Sequence, residues 1–335
     1  MYVGIIGCGM MGKIHSKAYS EIKGINVKAV ASLSEEQSKE CAEISSSKIA
    51  SIDEILHDKE IDIVSICTPT DTHKKIAVEA AKNKKNIFCE KPIALSLKDA
   101  REMVEICEEN NVLLGVNHVV RFFHAYSKTA SLLKDGIIGE AVMARMYRGG
   151  VFPKHGWNNW FNELDKSGGV LVDLSIHDFD YLRTIFGEIE SVTSRTIKKT
   201  PSHPGENRDH ALTIIRFENG SLAHVEGSWA EPENAPSKFK TSFEFVGKEG
   251  MITYDSDEDS TMRIQTISRK HPAFSTSTPT YSDPYKYHIE QFIKAVKKGK
   301  EVPVDGNEAI EALKISLAAN KSAETGKSVK LSEVL

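Results

Sequence analysis

Long apolar runs are missing from this chain of 335 residues: no stretch approaches the roughly 18 to 20 residues that a transmembrane helix needs. Charge of one sign is missing too. Lys and Arg total 43 against 47 Asp and Glu, a formal net charge of −4, so no broad basic field favours a nucleic acid or a membrane surface as partner. Cysteine is scarce. Cys8, Cys41, Cys67, Cys89 and Cys107 are odd in number, lack C-x-x-C spacing and lie in the first third of the chain. That pattern argues for small buried thiols in a reducing cytosol rather than a disulfide framework or a metal site. The 12 histidines are scattered without an H-x-x-x-H or Cys/His cluster, so no metal is expected. At the N-terminus the short apolar run Tyr2–Ile6 breaks straight into glycines and does not read as a signal peptide, which makes a cytoplasmic protein the expectation. No repeat or low-complexity tract is present. What remains is an ordinary globular composition, 40% hydrophobic and 27% charged, able to bury a real core. At about 150 residues per domain, the length predicts two domains.

Up to about residue 120, short β-branched runs alternate with longer amphipathic ones. Tyr2–Ile6, Val27–Ala31, Ile61–Ile66, Asn86–Cys89 and Leu113–Val116 read as strands, and Met11–Ile22, Glu35–Ile44, Thr72–Lys82 and Leu97–Asn110 as helices. This βαβ rhythm predicts a doubly wound parallel sheet, an α/β domain over 1–120. The rhythm then changes. Met143–Arg148, Ser191–Thr196, Leu212–Glu218, Ser221–Ser228, Thr241–Val246, Gly250–Tyr254 and Thr261–Ile267 read as successive strands. Asn219-Gly220 between two of them is a hairpin signal, because both residues tolerate a positive φ. Residues 121–335 are thus expected to form an α+β domain around a second, mainly antiparallel sheet. One long helix is expected near 168–186, with closing helices near 284–298 and 306–325. Lys82–Lys85 and Lys297–Lys300 fall at helix C-termini, where solvated lysines complement the dipole. Asp255-Ser256-Asp257-Glu258-Asp259 begins like a calcium loop, but Ser260 and Thr266 occupy the positions that need Gly and Glu, so a solvated turn is expected.

Gly7-Cys8-Gly9-Met10-Met11-Gly12 follows the first strand and opens the first helix. In that context Gly7 permits the tight turn, Gly9 lets backbone approach a pyrophosphate, and Gly12 allows close helix–strand packing. The helix N-terminus, at Met10 and Met11, supplies N–H groups and positive dipole. The same residues through Lys13 also fit G-x-x-x-x-G-K, but Ile14 stands where a nucleotide hydrolase needs a Ser or Thr hydroxyl for magnesium. Dinucleotide binding is the reading that survives. Ser32, after the second strand, stands where a carboxylate would bind the ribose of NAD, so the choice between NAD and NADP leans towards NADP. No arginine follows it, and Ser32 also reads as the start of the next helix.

Two segments carry candidate reactive groups. Glu90-Lys91-Pro92 ends the strand Asn86–Cys89, at the sheet edge where open α/β sheets bind ligands. Pro92 biases Lys91 away from helix, although a lysine in a surface turn is the commoner case. The segment 168–186 is apolar nearly all round, yet Asp173, His177, Asp180 and Thr184 fall on one helical face. A polar stripe on a buried helix needs partners or a wet cleft. Asp173 is placed to orient and polarise His177 as a general base; a structural Asp–His pair is the alternative.

The glycine loop, the Cys67-Thr68-Pro69-Thr70 turn with His73, Glu90-Lys91-Pro92 and the Gly-Gly-x-x-x-Asp-x-x-x-His run from Gly168 to His177 occur in the order seen in the Gfo/Idh/MocA oxidoreductases. The chain resembles that family over nearly its whole length, including Ser322-Ala323-Glu324-Thr325-Gly326. The resemblance implies a Rossmann domain followed by a domain with a large open mixed sheet, often used to form homodimers or homotetramers. It implies Lys91, Asp173 and His177 as catalytic residues, and Thr68, Pro69, Thr70, His73 and Glu90 beside the cofactor. By position, Asn117, Arg121, Trp157 and Trp160 resemble residues lining the family's substrate cleft, while aromatic packing explains the tryptophans equally well. The implied activity is NAD(P)-dependent hydride transfer at a secondary hydroxyl of a sugar, sugar nucleotide or cyclic polyol. Two rivals share the fold: glycosidases working by transient oxidation and elimination, and non-catalytic sugar sensors. Retention of Lys, Asp and His together argues against the sensor.

Overall fold

The computed structural model describes residues 1–154, 156–198, 208–258, 261–267, 274–277 and 283–334. The first part runs β1 (Tyr2–Ile6), α1 (Met10–Ser20), β2 (Asn26–Ala31), α2 (Glu35–Ser45), β3 (Lys48–Ile49), α3 (Ile52–His57), β4 (Ile61–Ile66), α4 (His73–Lys82), β5 (Asn86–Cys89), α5 (Leu97–Glu109) and β6 (Leu114–Val116). Its strands pair in parallel in the order β3-β2-β1-β4-β5-β6. Strand order reverses between β1 and β4, which opens a crevice at their carboxyl ends where the loops diverge. Helix starts follow local chemistry. Ser34 accepts from the Gln37 N–H, Ser51 and Glu54 form a capping box, and Ser96 accepts from the Asp99 N–H.

The chain continues through α6 (His124–Lys134), β7 (Ala141–Gly150), α7 (Leu164–Ser167) and α8 (Ile176–Phe186) to β8 (Ile189–Ile197), β9 (His210–Phe217) and β10 (Leu222–Ser228). It then forms β11 (Phe239–Gly247), β12 (Gly250–Asp255), β13 (Met262–Thr266), β14 (Phe274–Ser277), α9 (Pro284–Lys298), α10 (Gly306–Thr325) and β15 (Val329–Lys330). These strands build a nine-stranded sheet, β14-β13-β12-β11-β7-β10-β9-β8-β15. All its neighbours are antiparallel except β7 and β10, so the sheet is mixed and mainly antiparallel. Along β9, Ala211, Thr213, Ile215 and Phe217 are buried while Leu212 and Ile214 are exposed, the alternation of a sheet covered on one face. In the β9–β10 turn only Gly220 takes a positive φ (85°); the Asn219 side chain instead accepts from the Ser221 N–H.

The last two helices join both sheets. Ile289, Phe292 and Ile293 of α9 pack with Val3, Ile5 and Phe88 of the first sheet. On α10, Ala309, Ile310 and Leu313 belong to the first core, and Ile315, Ala318 and Ala319 to the second.

Two local expectations differ. The helix expected over 168–186 is broken: α7 ends at Gly168 (φ 72°), Gly169 is also left-handed (φ 74°), and Val170–Leu174 forms a π-turn closed by Ser175 N–H to Val170 O. Lys85 is no solvated cap. It is buried, and its ammonium donates to the carbonyls of Asp58 and Ile61 at 2.5 and 2.8 Å, holding the turn that leads into β4. Helix α3 and the short strands β3, β14 and β15 carry too few periodic positions to stand out in the sequence, and helix α6 falls outside the expected elements. In the acidic turn Asp255 pairs with Lys240 at 2.9 Å, while Asp259 and Ser260 lie outside the described residues.

Candidate active site

The crevice at the strand-order reversal opens into a cleft of about 1480 Å³ that extends to the second sheet. That exceeds the roughly 300–1,000 Å³ of a single-ligand pocket and leaves room for two molecules side by side. Gly7, Gly9, Met10 and Met11 line one end. Gly7 has φ 95°, and a Cβ there would strike the Cys67 backbone; a Cβ on Gly9 would stand in open space facing the cleft. Helix α1 starts at Met10 with no side-chain cap and no acidic residue in its first turn. Its N–H groups are therefore available to an anion. Gly12 does not line the cleft. It faces Gly7 O so closely that any side chain would force helix and strand apart. Ser32, Thr68, Pro69 and Thr70 complete this end. The set fits a dinucleotide pyrophosphate, with no carboxylate at position 32 to repel a 2′-phosphate.

Further along the cleft, Glu90, Lys91, Asp173 and His177 converge. The Lys91–Pro92 peptide is cis, and the Lys91 ammonium donates to the Asp173 carboxylate at 2.9 Å and to the Asp173 carbonyl at 2.6 Å. Asp173 thus serves Lys91, not His177 as the helical spacing suggests. The π-turn is the reason: its extra residue per turn shifts the phase between Asp173 and His177, so the two no longer stack at i, i+4. His177 is left with Nδ1 unpartnered. Burial, then the Lys91 ammonium and the Arg148 guanidinium, hold its imidazole well below the ordinary 6.5. The arrangement presents a fixed ammonium and a neutral imidazole to one space, the requirement for moving a proton on and off a bound oxygen.

Several expected site residues are placed elsewhere. His73 sits behind the cleft wall, its ring nitrogens 3.0 Å from Pro92 O and 2.9 Å from Thr68 O, bracing the two turns against each other. Asn117 is buried beneath Glu90, donating to its carboxylate at 2.7 Å. Arg121 is committed to a bidentate pair with Asp180 (2.7 and 2.6 Å) and to Glu308 at 2.9 Å, tying α8 to α10 rather than facing the cleft. Thr184 bonds back within its own helix, donating to Tyr181 O. Trp160 lines the cleft, stacked on Phe161 at 4.0 Å. The Trp157 side chain lies outside the described residues.

The sequence reading missed Arg148, which lines the cleft while paired through two hydrogen bonds with the buried Asp178 and donating to the Tyr126 hydroxyl. Nothing in a strand pattern separates a buried arginine from an exposed one. Phe152, Trp229 and Tyr285 also line the substrate end.

Residues 1–118 match the family model described as the Gfo/Idh/MocA oxidoreductase family, NAD-binding Rossmann fold, and residues 130–331 match its C-terminal alpha/beta domain. The chain belongs to the Gfo/Idh/MocA oxidoreductases. Over 342 aligned residues, covering 100% of both chains, it is 30% identical to the myo-inositol 2-dehydrogenase of Thermotoga maritima. A second relative, the 2,7-anhydro-N-acetylneuraminate hydratase of Escherichia coli, is 35% identical over 213 residues, 63% of this chain and 56% of that protein. Among solved structures, a probable dehydrogenase from Thermotoga maritima superposes with a TM-score of 0.84 at 29% identity, covering 100% of each chain. The NAD-binding Rossmann fold of this Gfo/Idh/MocA protein is therefore the domain that carries the glycine loop, Ser32 and Glu90-Lys91. No helix among the described residues is long and apolar enough to cross a membrane.

Proposed function

We propose that this enzyme catalyses reversible NAD(P)-dependent oxidation of a secondary hydroxyl on a sugar, sugar nucleotide or cyclic polyol. The observation that carries the reading is the convergence of Lys91, Asp173 and His177 on the cleft that also holds the glycine loop. A bound nicotinamide supplies the hydride acceptor. His177, held neutral, takes the hydroxyl proton at the edge of its ring that lines the cleft. Lys91 donates to the same oxygen and stabilises the negative charge developing there, with Asp173 holding the ammonium in place. Trp160, Phe161 and Trp229 offer apolar faces for the C–H surface of a sugar ring or polyol. We place the division of labour near residue 120, with dinucleotide contacts before it and most substrate contacts after. The absent carboxylate at Ser32 leans the cofactor towards NADP. Leu212, Ile214 and Leu222, exposed on the open face of the nine-stranded sheet, support a homodimer or homotetramer built on that face. The five free cysteines, four of them buried, suit a reducing cytoplasm.

The hydratase relative favours a second reading, in which oxidation is transient and the cofactor returns to its starting state. One screen separates the two. Purified protein is mixed with NAD or NADP and a panel of inositols, free sugars, sugar nucleotides and anhydro-sugars, with nicotinamide absorbance and substrate consumption both followed. Net reduction of the dinucleotide is the expected result; substrate consumption without it supports the redox-neutral cycle. Inertness towards every class in the panel, with cofactor bound, overturns the proposal.

A further inference from the structure

We propose that the buried carboxylate of Glu90 sets the redox poise of this cleft, holding the cationic, oxidised form of the nicotinamide more tightly than the neutral, reduced form. The inference rests on the dinucleotide reading above. Glu90 lines the cleft between the glycine loop and Lys91, yet its side chain is only 8% exposed. Its carboxylate is held from below by groups that the proton-transfer chemistry does not use. One oxygen accepts from His15 Nε2 at 3.0 Å and from Asn117 Nδ2 at 2.7 Å, and the other from the Lys91 backbone N–H at 3.2 Å.

These donors are themselves oriented. The Ser65 hydroxyl at 2.8 Å and the Cys67 thiol at 3.3 Å hold His15 Nδ1, which fixes the ring with Nε2 towards Glu90. His288 Nδ1 donates to Asn117 Oδ1 at 2.9 Å, which turns the Asn117 amide nitrogen towards the carboxylate. Burial alone would raise the Glu90 carboxyl; the His15 ring, by hydrogen bond and by charge, then the Asn117 donor and the Lys91 charge more than offset it, and the group stays below its ordinary range. The Lys91 ammonium is turned away to Asp173. A carboxylate fixed in the floor of the cleft adds its field to whatever group binds above it. An oxidised nicotinamide carries one more positive charge than a reduced one, so a carboxylate beneath it discriminates between the two.

The test is equilibrium binding, read independently of turnover. Dissociation constants for NAD⁺, NADH, NADP⁺ and NADPH are measured by calorimetry on the wild type, Glu90→Gln and His15→Gln. Glu90→Gln should weaken the oxidised form about ten- to a hundredfold relative to the reduced form, the scale of one partly screened charge a few ångströms away. His15→Gln keeps an N–H donor to the carboxylate and should leave the ratio near that of the wild type. Equal weakening of both forms, or an unchanged ratio, in Glu90→Gln overturns the proposal. Should that variant fail to fold, the wild type decides: its bound couple must be harder to reduce than the free dinucleotide, and the opposite result overturns the inference. If the wild type binds none of the four, the dinucleotide reading falls as well; if it binds them without discrimination by Glu90, only this inference falls.

Discussion

His177 is a base made by its surroundings rather than by a partner. It sits half-buried in the cleft beside two cationic groups, Lys91 and Arg148, and desolvation and both charges favour the neutral ring. Activity in the oxidative direction is lost when the ring protonates, so the acid limb of kcat/KM should lie below pH 6.5. His177→Ala should remove that limb and lower kcat/KM by about 10²- to 10⁴-fold, as read from pH profiles of the two proteins. An unchanged profile would move the base to Lys91 or a water chain. Ser32 decides a different matter with a single hydroxyl. Ser32→Asp would set a carboxylate against a 2′-phosphate and should weaken NADP about ten- to a hundredfold after screening, with NAD affinity held or improved. Titration of both cofactors against both proteins checks this, and undiminished NADP binding would mean that Ser32 lies away from the 2′ position.

At the scale of elements, the π-turn Val170–Leu174 is the feature that redistributes roles. A continuous helix would have paired Asp173 with His177; the inserted turn gives Asp173 to Lys91 and leaves His177 free to act. Its glycines could be read from the sequence, but the hydrogen-bond shift that they permit could not. Arg121 shows the same limit. Its place after β6 resembled a cleft residue, while its partners Asp180 and Glu308 lie 59 and 187 positions away in the chain. Arg121→Met would strand the buried Asp180 carboxylate and should cost about 3 kcal/mol of stability in denaturant titration, with KM for substrate little changed. A raised KM at full stability would return Arg121 to the substrate site.

Across the whole molecule, α9 and α10 fasten the end of the chain onto the two sheets, with Pro284 and Tyr285 at the start of α9 lining the cleft. That packing buries His288 of α9, and it lies with His73, His118 and His177 in surroundings that all depress protonation, chiefly through burial. His288 is pushed down to about 3. A group whose folded pKa is depressed stabilises the fold above its unfolded pKa, and that contribution is lost as pH falls. His288 alone should therefore cost about 2 kcal/mol at pH 5 relative to pH 7. Melting curves should fall between pH 6.5 and 5, before most carboxylates titrate, and His288→Gln should flatten the slope. A flat wild-type curve over that window would mean that these histidines titrate normally.

The sequence by itself determined what depends on neighbours along the chain. The βαβ rhythm, the glycine turn after β1, the Ser helix caps and the β9–β10 turn at Gly220 each follow from local sterics and backbone hydrogen bonding over a few residues. Lys91, Asp173 and His177 could be singled out because charged groups in apolar segments are unusual wherever they occur. Which of them touch was decided by the tertiary structure. Lys91 and Asp173 are 82 positions apart, and Glu90, after β5, meets His15 of α1 and Asn117 after β6. Such contacts arise only when strand order brings distant loops to one edge, and burial then fixes the charge of each group. That is why the sequence shows the reactive side chains, and the fold alone assigns their partners.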